Sequence, residues 1–133
     1  KRAQSGLVEL LMTPAGQLLA LERSAVESLT PFQHRLYLVE FDQATDISRF
    51  RDGLAEAKST NAFRPVEKRL LWKTDWLTSP GNLEGLCVGP KLPNASHVMV
   101  GVVDNGDPIS GNIVLSFELK SESPQPQNQV AER

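Results

Sequence analysis

Few side chains in this sequence have both the type and the placement for chemistry. Glu84 stands between Leu83 and Gly85 at the head of the apolar run in "NLEGLCVGPKLP". Asp104 and Asn105 close a second run, "HVMVGVVD", and Glu22 with Arg23 closes a third, "LLALER". Carboxylates gathered at strand ends suit a hard cation such as Ca²⁺, which takes six to eight oxygen ligands in flexible geometry. A cation so held can act as a Lewis acid on oxygens bound to it. Arg23 would then be an anion contact beside the carboxylates, and Asn105 a second polar contact. Each residue also has a plainer use. Glu84 can pin a turn by accepting backbone N–H bonds, "DNGD" can be an ordinary reversal, and Glu22 and Arg23 can form surface ion pairs.

Other chemistries find no support. His34 and His97 each stand alone, without the spacing of a zinc site. There is no G-x-S-x-G nucleophile elbow and no G-x-x-x-x-G-K-(S/T) phosphate loop. Cys87, between Leu86 and Val88, reads as a small core hydrophobe. Trp72 reads as core packing and Trp76 as loop packing. "NAS" at 94–96 has the pattern of an N-glycosylation acceptor.

The elements that must position these residues are short strands. "LVELLMT" (7–13) and "LLALER" (18–23) flank "PAGQ", a hairpin signal with Pro14 and Gly16 at its corners. "RLYLVEFD" (35–42), "VEKRLLWKT" (66–74), "LEGLCVG" (83–89), "HVMVGVVD" (97–104) and "NIVLSFELK" (112–120) follow. Residues 46–62 are expected to be a long loop with one helical turn, Asp46 capping its start and Gly53 weakening it. The tail at 121–133, rich in Pro and polar residues, is expected to be disordered.

Superposing Pro14 on Pro90 brings out a repeat. Leu7 falls over Leu83, Leu10 over Leu86 and Glu22 over Asp104, with a longer turn in the second copy. Each unit is strand, turn, strand, connection, strand, and the first adds a fourth strand. A repeated four-stranded antiparallel unit implies an all-β fold, an antiparallel β-propeller segment of about two blades with the last incomplete. That segment would occupy residues 1–120. The rival is a self-contained seven-strand sandwich.

Bulk properties narrow the partners. The 133 residues carry a net charge of −2 with no basic patch, which argues against nucleic acid. No apolar run approaches the ~20 residues of a membrane-spanning helix. A single cysteine excludes an internal disulfide and leaves the compartment open, with a lean to export. The start at "KRAQSG", without Met, reads as a fragment or processed product.

"VEKRLLWKTDWL", "GNLEGLCVGPKLPNASHVMVGVVDN" and "NIVLSFEL" together resemble the C-terminal end of the phytase-like family, also called esterase-like activity of phytase. Members carry an N-(I/F/L)-E-G-(L/M) turn, a G-P-x-L-P step, a strand ending S-D-N and a last strand ending F-E-L. "SGLVELLMTPAGQLLALER" is similar to the family's upstream repeat. The resemblance implies a β-propeller related in outline to calcium-dependent alkaline phytases, whose matching glutamate binds calcium. By that implication Glu84, Asp104 and Glu22 would hold Ca²⁺, Arg23 and Asn105 would contact a small phosphorylated substrate, and the complete protein would hydrolyse phosphoesters by attack of water on a phosphate whose charge the cations offset. The alternative is a non-catalytic propeller that docks a protein or sugar. The chain departs from the pattern at Val8 and Glu9, which replace the acidic turn in the first copy, and at Val103-Asp104-Asn105-Gly106, where the family reads S-D-N-N.

Overall fold

A computed structural model describes residues 4–26, 29–59, 63–75, 77–104, 106, 109 and 111–120. The expected disorder at 121–133 and the packing of Trp76 lie outside them. Seven strands form: β1 Gln4–Met12, β2 Leu18–Val26, β3 Leu29–Glu40, β4 Glu67–Lys73, β5 Leu83–Lys91, β6 His97–Val103 and β7 Ile113–Leu119. They make two open antiparallel sheets, ordered β1-β2-β3-β4 and β5-β6-β7. The all-β reading holds. Neither sheet closes on itself or on the other.

The segment between β3 and β4 holds more helix than expected. Asp46 caps a 3₁₀ turn, Ile47–Arg49, by accepting from the Ser48 backbone N–H at 2.9 Å. A seven-residue helix α1, Gly53–Ser59, follows. Gly53 takes φ +55°, a left-handed setting that glycine adopts without strain, and this splits the apolar periodicity into two short pieces.

The core lies between the sheets. Leu19, Leu21, Leu36 and Leu38 of the first sheet pack against Leu83, Met99 and Val103 of the second. Trp72 of β4 meets Phe117 of β7 edge-on at 5.2 Å, so its core role stands. β1 lies against β5. Because side chains alternate along a strand, each sheet presents only every second residue to this core.

The repeat is visible in the ladders. In the first sheet Leu7 pairs with Glu22 and Glu9 with Leu21, leaving Val8 as a bulge. In the second, Leu83 pairs with Val103 and Gly85 with Val102, leaving Glu84 as the bulge. The two bulges occupy the same place in their units. Leu10 pairs with Ala20 as Leu86 pairs with Gly101, and Ala20 with Tyr37 as Gly101 with Leu115.

Two details of the superposition change. Both hairpin turns use one hydrogen-bond pattern, Thr13 N–H to Gln17 C=O and Leu92 N–H to Ser96 C=O, each at 2.8 Å. Pro93 therefore takes the place of Pro14. Pro90 sits inside β5, where the register slips a second time between Val88 and Lys91; a bulge tolerates its missing N–H. The second unit inserts its extra residues between bulge and turn, which lie nine residues apart from Leu83 to Leu92 against six from Leu7 to Thr13, rather than in the turn itself. Counting from the bulges, Glu22 falls over Val103, and Arg23 falls over Asp104.

The outer face of the first sheet exposes Leu7 (58%), Leu10 and Met12, and that of the second exposes Val102 and Val114. Cys87 lies on this second outer face and is exposed, not buried in the core as its apolar neighbours suggested.

Gly101 shows how tightly the inner face is packed. A Cβ there would lie 2.9 Å from Leu83 Cδ1 and 3.2 Å from Phe117 Cε2. Gly101→Ala is expected to lower the urea unfolding midpoint by an amount equivalent to about 1–3 kcal/mol. Gly85→Ala, where a Cβ meets nothing within 4 Å, should leave the midpoint nearly unchanged.

Candidate functional site at the bulged ends of the leading strands

Glu84 owes its position to the bulge. The extra residue re-aims its side chain out of the alternation, as bulges commonly do. Glu84 Oε1 accepts from the Asn82 amide at 2.7 Å and from Arg23 Nη1 at 3.2 Å. The Arg23 contact is an ion pair joining the two sheets. Among the described residues Oε2 of Glu84 has no partner. Arg23 is held in turn by the ring of Phe32, with its guanidinium carbon 4.7 Å from the ring centroid. A guanidinium over an aromatic face gains electrostatically from the ring quadrupole.

Asp104 lies at the same end, because β6 ends where β5 begins. Its backbone N–H donates to the Asn82 carbonyl at 3.0 Å. Its Oδ1 accepts the Gly106 N–H at 2.9 Å, with Gly106 at φ +67°. The aspartate thus shapes the turn after β6, the plainer of its two readings, while remaining exposed. Asn105 lies outside the described residues.

Glu22 is placed elsewhere. Adjacent strand residues face opposite ways, so Glu22 turns from Arg23 to the outer face and pairs with Lys68. Lys68 also sits 4.7 Å over the Tyr37 ring. The structure brings Arg23 and Glu84 into contact and Asp104 to the same end, but not Glu22. No group of three or more His, Cys, Asp or Glu side chains gathers among the described residues.

His34 is the neighbour that its isolation in the sequence concealed. It sits directly across from Arg23 on β3 and is 0% exposed. Its backbone N–H donates to Thr74 Oγ1 at 2.9 Å, and its carbonyl accepts the Thr74 N–H at 3.0 Å. Nδ1 lies 3.5 Å from the same hydroxyl, while the buried Nε2 has no partner among the described residues. Burial, and then the charge of Arg23, lower its pKa from 6.5 to about 4. Only the hairpin register puts His34 and Arg23 together, and nothing in their spacing along the chain signals it.

The "NAS" tripeptide is also tied down. Asn94 donates its amide to Glu118 Oε1 at 2.7 Å, and Ser96 Oγ lies 2.8 Å from the same oxygen. These bonds hold the Glu118 carboxyl below the usual carboxylate range.

The larger cavity is a wedge of about 1210 Å³ between the sheets, walled by Leu19, Leu71, Trp72, Leu86 and Phe117. None of Glu22, Arg23, Glu84 or Asp104 lines it. A smaller one of about 260 Å³ is bounded by Ser5, Gly6, Val8, Arg23 and Phe32. Volume points to the wedge, but the convergent polar groups are at Arg23, and chemistry requires those groups.

The chain matches the family model described as Phytase-like: Esterase-like activity of phytase, over residues 2–107. No curated protein and no solved structure matches it.

Two outcomes are expected of this cluster. With both partners part-exposed, a double-mutant cycle of Arg23→Gln and Glu84→Gln should give a coupling of about 0.2–1 kcal/mol that shrinks with salt. For His34, a folded pKa below the unfolded one means the unfolded chain binds the extra proton first. Its contribution to stability is present above pH 6.5 and is lost as pH falls toward about 4. The thermal midpoint should drop across that window, and His34→Gln should flatten this part of the profile.

Proposed function

The chain belongs to the phytase-like family, and on that premise we propose that it is a β-propeller segment of a metal-dependent phosphoester hydrolase. Its bulged strand ends form one sector of the site. Glu84 and Asp104 are two of the oxygen donors for a calcium ion, and Arg23 is the contact for a phosphate. The remaining donors come from outside the described residues. When bound, calcium would supply Lewis acidity and offset the charge on the phosphate oxygens.

One observation carries this reading: the glutamate of "NLEGL" stands at a bulge with Oε1 held by Arg23 and Asn82 while Oε2 keeps its lone pairs. A carboxylate fixed through one oxygen presents the other at low entropic cost. Arg23 uses one N–H on Glu84 and still borders the small cavity, so the rest of its fork can meet an anion there. The propeller arrangement is supported by apolar side chains exposed on the outer faces of both sheets, as expected of blades flanked by neighbours.

A second reading has its own observation. Arg23 neutralises Glu84, and no third carboxylate joins the cluster among the described residues. On that basis the ion pair would be a bolt between sheets in a non-catalytic binding propeller.

Calcium calorimetry on the full-length polypeptide separates the two. Under the hydrolase reading Glu84→Gln weakens calcium binding by at least about tenfold, and the wild type with calcium releases phosphate from a panel of phosphoesters. Equal affinity in both proteins removes the metal role of Glu84, and no phosphate release with calcium bound leaves the binding module.

A further inference from the structure

Beside Arg23 the first unit leaves open a place that the second unit fills. Gly6 pairs directly with Arg23, just before the Val8 bulge. Asn82 holds the corresponding position before the Glu84 bulge; its carbonyl accepts the Asp104 N–H, and its amide donates to Glu84 at 2.7 Å. Where Asn82 places a working side chain, Gly6 has none. A Cβ at Gly6 would meet nothing within 4 Å, and its backbone takes no left-handed setting, so neither crowding nor conformation calls for glycine there. What the missing side chain preserves is space, the cavity of about 260 Å³ bounded by Ser5, Gly6, Val8, Arg23 and Phe32. Directly paired residues share a face. Gly6 and Arg23 therefore stand on the inner side of the first sheet, where Arg23 meets Glu84 of the second. The cavity belongs to the junction of the chain's own two sheets and not to either outer face.

We propose that this cavity is a specificity pocket for a small phosphate monoester, with Gly6 as the residue that keeps it open. The inference rests on the reading of Arg23 as a phosphate contact. Glu84 Oε1 at 3.2 Å and the Phe32 ring at 4.7 Å hold the guanidinium from two sides. It is thus presented in one orientation, and a guanidinium fork suits the oxygens of a phosphate. Val8 and Phe32 give the same cavity an apolar wall for the organic part of the ester. Size then selects the ester. Pockets for drug-sized ligands run about 300–1,000 Å³, and this one falls below that range. It admits one phosphate with a few carbon atoms, and a bulky organic group does not fit beside Gly6.

Calorimetry on the full-length polypeptide, with calcium present and inorganic phosphate as the probe, tests the pocket. Gly6→Leu fills the space and should weaken phosphate binding at least about tenfold. Gly6→Ala takes up little of it and should bind phosphate nearly as the wild type does. Calcium affinity should be the same in both variants, because neither alters Glu84 or Asp104. Glycine inside a strand weakens it, so both should melt no lower than the wild type; Gly6→Val replaces Gly6→Leu if the larger side chain prevents folding. On the wild type alone, glycerol phosphate should bind as tightly as inorganic phosphate, and adenosine monophosphate at least about tenfold more weakly. Unchanged phosphate affinity in a folded Gly6→Leu overturns the proposal. So does a wild type that binds no phosphate, or one that binds the nucleotide as tightly as glycerol phosphate. If Gly6→Leu loses phosphate but the wild type hydrolyses no ester, the pocket stands and the hydrolase reading falls. If Gly6→Leu hydrolyses glycerol phosphate with unchanged KM, the hydrolase reading stands and the pocket falls.

Discussion

Leu19, Leu21, Leu36 and Leu38 form one continuous apolar surface, and in this chain they are covered by Leu83, Met99 and Val103. Burying a side chain of this size contributes about 1.5–3 kcal/mol, so a handful of them outweighs every polar contact between the sheets. That packing fixes the relation of the two sheets. With the sheets set this way, β1 lies against β5, both bulges fall at one end of the molecule, and Arg23 comes within reach of Glu84. The ion pair follows from the leucines and adds little to them, since pairs between part-exposed groups contribute roughly 0–1 kcal/mol.

The same packing explains what was legible in the sequence. Seven strands could be read because turn residues bound short apolar runs, and the ladder follows from pairing neighbours in order. Glu84 stood out because a carboxylate at the head of an apolar run is unusual, and the structure gives it an inter-sheet partner. Register could not be read. A hairpin's register depends on bulges, and a bulge is one residue among several that look alike; the slip between Val88 and Lys91 has no clearer mark than a proline. That ambiguity shifted Glu22 onto Asp104 when Arg23 belongs there, and it hid His34 beside Arg23. Cys87 was misplaced for a related reason. Its neighbours are apolar on both sides because both sheet faces are apolar, so alternation carries no information about which face is covered.

Apolar side chains stand on both sides of each sheet. A two-sheet sandwich needs only its inner faces dry, and its outer faces are free to be polar. Here positions equivalent to buried core residues recur on the outside: Leu7 and Val114 are apolar although exposed, while Glu22, the equivalent of Val103, is charged.

Two slots recur in each unit, the bulge and the residue after the return strand. In the first unit they hold Val8 and Arg23; in the second they hold Glu84 and Asp104. Across the internal junction, the return-strand slot of one unit reaches the bulge slot of the next, and Arg23 there meets Glu84. The backbone at these slots is set by hydrogen-bonded ladders and by leucines some residues away, so their side chains can change sign or lose charge without disturbing the packing. Val8 shows this: the bulge persists with an apolar residue at its centre, and the ladder on either side is intact. A scaffold indifferent to the residues in its slots can carry a metal-binding carboxylate at one junction and a plain ion pair at another. Whether this chain binds or catalyses is therefore settled by the slots, while the sheets that hold them serve either use equally well.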